Sequence, residues 1–291
     1  MVKNYIKLIR VYTWIKNFFV FVPIIFSLNL FDTHLLLKEL LAFIAFCFAS
    51  SSVYVINDIS DKEPDSRHPY KKNRPIAAGK VSVKQAVILT LVLLILTFLF
   101  TAILNVKFTV VVSIYILINI FYSIRLKDIV IIDIFCIASG FILRIMGGAF
   151  AINVVMSSWL ILTTMFLSLF LAALKRRSEI ELQGKNEFEA RKVLLNYSKE
   201  FIDQMSLIAA AGIIICYALY TVSGRTVNIF NTENLIFTTP FVVFGIYRYM
   251  YLIYVKKRWE DISKVILTDL TTIINIILYF IVSVVIIYKI V

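Results

Sequence analysis

"LLLKELLAFIAFCFASSSVYVINDISDKEPD", Leu35–Asp65, decides the fold. Its first part, 35–57, is apolar and long enough to cross a bilayer, which takes about 20 mostly apolar residues. It runs directly into "NDISDKEPD", Asn57–Asp65, which holds four acidic groups and an Asn. So dense a charge beside a membrane costs free energy unless something binds it.

The rest of the chain repeats the apolar pattern. Of 291 residues 60% are hydrophobic, and the mean hydropathy is +0.89. Soluble domains are closer to half apolar. Nine spans can be placed, roughly at 14–31, 35–57, 83–104, 107–124, 129–152, 157–174, 203–222, 233–254 and 267–289. Backbone polar groups in lipid must pair within their own segment, so these spans are expected to be helices. The expectation is an all-α, polytopic membrane protein of nine transmembrane helices. It forms a single transmembrane domain, 1–291, in a cell membrane, most simply a bacterial plasma membrane. No cleavable signal peptide is expected, because the first apolar run can span and lacks a small-residue cleavage site.

The net charge of +12 invites a nucleic-acid partner, but its distribution argues for a bilayer instead. With the N-terminus cytoplasmic, 24 of the 30 basic residues fall on the cytoplasmic side. This is the positive-inside asymmetry of a membrane protein, and it places the C-terminus outside. No nucleic acid is implied. Cys47, Cys136 and Cys216 all lie in apolar spans, form no CxxC and read as small buried residues.

Two cytoplasmic connections are long, 58–82 and 175–202, and each opens with charge at a helix end. In the first, Asp58, Asp61 and Asp65 recur at i, i+3 and i+7, one face of a continuing helix. Unpaired carboxylates side by side repel, and a divalent cation relieves them. Oxygen-only ligands select Mg²⁺ or Ca²⁺, and Mg²⁺ commonly bridges carboxylates to a substrate phosphate. Asn57 can add a neutral oxygen or bond a phosphate. The competing reading is a solvated helix end balanced by Lys62 and Arg67. Pro64 lacks an N–H and pushes Glu63 from helical geometry. A helix ending near Lys62 would take Asp65 off the face of Asp58 and Asp61, so those two are the primary ligands expected.

"RHPYKKNRP", Arg67–Pro75, follows the acids. Arg67, Lys71, Lys72 and Arg74 suit phosphate oxygens, Arg by bidentate contact and Lys as a point charge. The second connection opens with "KRRSEIE", Lys175–Glu181. Consecutive Lys175, Arg176 and Arg177 spread over about 200° of a helix, so two of the three can face one site. Arg144, inside the fifth span, carries an insertion cost of at least about 2.5 kcal/mol and needs a partner, either Asp133 or a lipid phosphate. Arg248 and Lys16 are similar candidates. Gly140, Gly147 and Gly148 read as close-packing residues. His68 reads as structural or as a donor.

The pattern N-D-x-x-D-x-x-x-D after the second helix, followed by R-P-x-x-x-G, resembles the UbiA-type intramembrane transferases. That family uses two Asp-rich motifs to move prenyl groups from Mg²⁺-bound prenyl diphosphates. Here "LKRRSEIE", Leu174–Glu181, stands where the aromatic prenyltransferases carry the second D-x-x-x-D. With "WIKNFFVFVP" (14–23), "YSIRLKDIVIIDIF" (122–135), "GFILRIMGGA" (140–149), "FGIYRYMYL" (244–252) and "VILTDL" (265–270), it is similar to the decaprenyl-phosphate phosphoribosyltransferase branch.

The resemblance implies transfer of 5-phosphoribosyl from 5-phosphoribosyl 1-diphosphate to a polyprenyl phosphate, with Mg²⁺ as cofactor. It implies Asp58, Asp61 and Asp65 as metal ligands, and Asp58, Asp61 and Arg177 as catalytic residues. The substrate contacts implied are Lys16, Asn17, Asn57, Arg67, Lys71, Arg74, Tyr122, Arg125, Lys127, Arg144, Lys175, Arg176 and Glu179. The alternative is a prenyltransferase of the same fold with an aromatic acceptor. A transporter is disfavoured, since its ion sites would lie at the midplane, where carboxylates are sparse.

Overall fold

The computed structural model describes residues 2–67, 71–183, 192–260 and 262–289. His68, singled out above, lies outside the described residues. Among the described residues every regular element is helical. Eight helices are long and apolar enough to cross a membrane, or nine if one bent pair counts as a span. The protein is therefore a multi-pass, all-α membrane protein. Its contacts divide it into two compact units.

The first unit comprises 1–24, 31–136 and 143–154. It opens with α1 (Val2–Ile9), a 3₁₀ segment (Val11–Phe21) and α2 (Val22–Ile25). The span expected at 14–31 instead starts earlier and ends at Ile25, and Val2–Ile9 precedes Val11–Ile25 at a 42° bend. Arg10 sits at the break in the left-handed conformation, φ 54° and ψ 50°. Pro23 cannot donate to the Phe19 carbonyl as an α-helix would require, and the Val22 N–H takes that carbonyl in a tighter turn.

Next comes α3 (Thr33–Ser60), started by Asp32, whose side chain accepts from the His34 and Leu35 N–H groups. It stops at Asp61 and restarts at once as α4 (Lys62–Arg67). Pro64 then lies in the first turn of α4, where no N–H is needed. The Asp61 N–H closes α3 on the Asn57 carbonyl at 2.9 Å, and the Asp65 N–H opens α4 on the Asp61 carbonyl at 2.8 Å. Pro64 leaves the place of Asp65 open in the sequence; in the structure Asp65 is buried and shares an Arg74 nitrogen with Asp58.

The loop that follows turns on Pro75, whose carbonyl accepts from the Lys80 and Val81 N–H groups, and on Gly79 at φ +68°. Ile76 and Val81 bury themselves with Leu8, Val55, Ala86 and Leu93, pinning the loop to α1 and α3. A Ser82–Gln85 capping box starts α5 (Val83–Leu104), and Asn105 caps α6 (Val106–Ile124). In α7 (Ile132–Ala151) Gly147 and Gly148 permit close packing, as anticipated. A Cβ on Gly148 would fall 2.1 Å from the Val20 carbonyl, and one on Gly147 would fall 2.6 Å from the Phe46 ring.

The second unit comprises 25–30, 137–142 and 155–291. Within it α8 (Ser158–Gln183) packs along α9 (Lys199–Val222), and a Cβ on Gly212 would meet the Phe166 ring at 2.6 Å. Then follow α10 (Gly224–Phe230), α11 (Thr239–Tyr254), α12 (Ile262–Thr268) and α13 (Leu270–Tyr288). Asp269 caps α13 by accepting from the Thr272 N–H and hydroxyl, and it takes both Nε and Nη2 of Arg248 at 3.0 and 2.7 Å. Arg248 is thus a helix-tying residue, bound to the cap of α13.

Candidate functional site

The acid end of α3 gathers basic groups from three other elements. Asp58 is buried, and its Oδ1 takes Arg10 Nη2 at 2.5 Å and Arg74 Nη1 at 3.1 Å. The same Arg74 nitrogen reaches Asp65 Oδ2 at 2.6 Å. Asp65 is buried too. Asp61 is half-exposed and takes Lys127 Nζ at 2.8 Å, while Asn57 Nδ2 donates to its other oxygen at 3.0 Å. Buried carboxylates need such partners, because desolvation otherwise exceeds what the fold returns.

Asn57, Asp58, Asp61, Asp65, Arg74 and Lys127 are therefore brought together. Arg67 and Arg125 are exposed, and Lys16, Lys71 and Tyr122 are partly buried. Arg144 and Asn17 form a separate buried network. Arg144 Nε donates to Asn17 Oδ1 at 2.7 Å and its Nη2 to the Tyr115 hydroxyl at 2.9 Å, with the guanidinium over the Tyr115 ring. Asn17, fully buried, also donates toward Cys47 and Ser50. Its position makes it a holder of Arg144.

In the second unit the stretch Lys175–Glu181 continues α8, so its residues diverge around the helix. Arg176 is fully enclosed and pairs with Glu179. Arg177 points elsewhere, to Glu181 at 2.5 Å and Asp203 at 3.0 Å, and lies over the Trp259 ring. Asp203 also accepts from the Tyr254 hydroxyl at 2.8 Å, which contacts Ser206 at 3.1 Å. Arg177 is held in a fixed orientation from α8, α9 and the segment after α11.

Residues 18–266 match the UbiA prenyltransferase family. The chain belongs to that family. Among curated relatives, it is 33% identical over 232 residues to the decaprenyl-phosphate phosphoribosyltransferase of Mycolicibacterium smegmatis, covering 78% of this chain and 73% of that protein. It is 34% identical over 219 residues to the protein of the same name in Corynebacterium glutamicum, covering 74% and 66%. A UbiA homologue from Archaeoglobus fulgidus, solved bound to GPP and Mg²⁺, shares the fold with a TM-score of 0.73 at 19% identity, over 98% of both chains.

The acids of this UbiA chain fit a hard divalent cation. Their donors are all oxygens, and Asp58 and Asp65 converge within reach of one Arg74 nitrogen. Among the described residues no group of three or more His, Cys, Asp or Glu side chains is placed to hold a metal ion by itself. Mg²⁺ does not require such a group, since it completes its shell with water and substrate phosphate.

Three residues of the sites escaped sequence reasoning. Arg10 looked like one more positive-inside charge, and only its helix break aims it at Asp58. Asp203 and Trp259 are far in sequence from "KRRSE" and carry no motif.

Proposed function

We propose that this chain transfers the 5-phosphoribosyl group of 5-phosphoribosyl 1-diphosphate to a polyprenyl phosphate, releasing pyrophosphate. The reaction is Mg²⁺-dependent and runs at the cytoplasmic face of the cell membrane. The observation that carries this reading is a carboxylate cluster after the second span in a chain whose α8 ends in Arg176, Arg177, Glu179 and Glu181. The names of the mycobacterial and corynebacterial relatives support the same donor and acceptor.

The chemistry asks little of a general base. An acceptor phosphate oxygen is already anionic. It forms the bond to C1 of the ribose as the C1–O bond to pyrophosphate breaks and the electron pair leaves with pyrophosphate. The barrier lies in assembling like charges and in stabilising the leaving group. Asp58 and Asp61, with Asp65, would hold Mg²⁺, which when bound neutralises charge on the diphosphate. Arg74, Lys127, Lys71 and Arg67 supply donors to phosphate oxygens. Arg177 offers a planar fork, Lys175 on another face of α8 offers a point charge, and Arg176 fixes Glu179 for a ribose hydroxyl. Lys16, Tyr122, Arg125 and Arg144, braced by Asn17, serve substrate anions.

An aromatic prenyltransferase would need a second carboxylate group on α8, where this chain carries guanidiniums. The test is direct. Membranes containing the protein receive labelled phosphoribosyl diphosphate, a polyprenyl phosphate and Mg²⁺, and in parallel a labelled prenyl diphosphate with an aromatic acceptor. Label entering an organic-extractable lipid from the first donor supports the reading. Absence of lipid product with long and short acceptors alike overturns it.

A further inference from the structure

We propose that Asp203 is a positioning residue for the reaction, fixing the plane of the Arg177 guanidinium so that Nη2 alone is left for a substrate anion. The proposal rests on the reading of Arg177 as a contact to the phosphoribosyl donor.

A guanidinium is planar, and its three nitrogens donate in that plane. In Arg177 two of them are taken. Nε donates to Asp203 Oδ1 at 3.0 Å, and Nη1 donates to Glu181 Oε1 at 2.5 Å. The Trp259 ring covers one face, with its centroid 5.7 Å from Cζ. Among the described residues Nη2 has no partner. Both of the holding carboxylates are held in turn. Glu181 Oε1 also accepts from Lys199 Nζ at 2.9 Å, and Asp203 Oδ1 also accepts from the Tyr254 hydroxyl at 2.8 Å. Tyr254 comes from α11, and its hydroxyl touches that of buried Ser206 at 3.1 Å.

The two carboxylates act differently. Glu181 follows Arg177 by four residues on the same helix, so their bond ties the side chain only to α8. Asp203 reaches across from α9 and gives the guanidinium a reference outside its own helix. Stability is a poor reason for this arrangement. The Asp203 side chain is 37% exposed, and an ion pair so open to water adds little to the fold while it costs side-chain freedom. What the pair supplies is orientation. One rotamer of a long side chain is kept, with one nitrogen uncommitted. A substrate anion then meets a donor already aimed, and the cost of ordering it is not taken from the binding energy. Both bonds to Asp203 fall on Oδ1, so the positioning element is that acceptor oxygen rather than the net charge.

The test is a double-mutant cycle on the full chain in detergent with Mg²⁺. Retention of labelled phosphoribosyl diphosphate in equilibrium dialysis, phosphoribosyl transfer and thermal melting are read on the same preparations. Asp203→Ala should melt near wild type and hold the donor about tenfold less tightly, the scale of one hydrogen bond to a charged group. Its KM for polyprenyl phosphate should not change. Asp203→Asn keeps an oxygen for both Arg177 and Tyr254 and should keep most of the donor binding. On an Arg177→Ala background, Asp203→Ala should cost nothing further, because its effect runs through the guanidinium. If Asp203→Ala does not fold, Tyr254→Phe carries the same cycle with a smaller loss. Wild-type binding in folded Asp203→Ala overturns the proposal. So does a loss that persists in full without Arg177, or an Asp203→Asn as defective as Asp203→Ala. Transfer by wild type with an additive cycle refutes the Asp203 proposal alone. Donor retention with a non-additive cycle but no transfer to lipid refutes the proposed function and leaves Asp203 positioning Arg177. Neither retention nor transfer by wild type refutes both.

Discussion

Asp58 and Asp65 lie on either side of Pro64 in the chain, yet both reach the same nitrogen of Arg74, at 3.1 and 2.6 Å. One guanidinium thus serves two buried carboxylates, of which Asp58 also has Arg10 at 2.5 Å. Removing Arg74 takes the cation from buried Asp65, a change that is strongly destabilising. Arg74→Ala should lower stability by about 2–3 kcal/mol, less than for a fully enclosed pair because Arg74 is partly exposed. Thermal melting in detergent measures this. Adding Asp65→Asn to Arg74→Ala should restore part of the loss, and a strictly additive double variant would show that the three groups are not coupled.

Asp58→Asn and Asp61→Asn should separate function from folding. Each keeps size and hydrogen-bonding capacity but removes a charge. Turnover should fall by roughly 100-fold or more, the scale seen when one electrostatic contact to a transition state is lost. Melting temperatures should move little, least for Asp61, which is half-exposed. Near-normal turnover in either variant would refute its role as a metal ligand.

The membrane fold was legible because helices in lipid must be about 20 apolar residues long, and that length is written in the sequence. The acids were legible because their spacing matches the helical repeat. The outcome for Asp65 was not, since it depended on whether Pro64 fell inside a helix or at the start of a new one. Only the backbone break at Asp61 decides that. Arg10 was hidden for a related reason. A left-handed residue between two short helices leaves no periodic trace, and its partner is distant in sequence. Asp203 and Trp259 reach Arg177 through packing alone, which no local pattern encodes.

Arg176 and Arg177 are neighbours with opposite surroundings, and their variants should differ accordingly. Arg176 is fully enclosed, so Arg176→Gln should cost about 3 kcal/mol of stability by breaking its enclosed pair with Glu179. Arg177→Lys should fold normally, because Asp203 and Glu181 still meet a cation. It loses the planar fork, and kcat/KM for phosphoribosyl diphosphate should fall roughly tenfold. Melting curves and donor titrations on both variants check the contrast. Equal loss of stability in the two would contradict the burial difference.

Glu39 belongs to neither cluster. It lies in α3 with no exposed surface, and neither of its carboxylate oxygens has a hydrogen-bond partner among the described residues. A Cβ on Gly148 would come within 3.2 Å of its Oε2, so α7 closes directly over it. A buried polar group without a partner is a net cost, and an apolar residue of similar size in its place removes that cost. Glu39→Leu should therefore raise stability by about 1 kcal/mol or more, read as a higher melting temperature in detergent. A lower melting temperature would mean that the carboxyl meets a partner in the membrane. Ionisable groups inside a bilayer commonly serve a function, so turnover is measured on the same variant. A more stable but inactive Glu39→Leu would make the carboxyl part of the reaction's machinery. A more stable and active one would make it a removable burden on the fold.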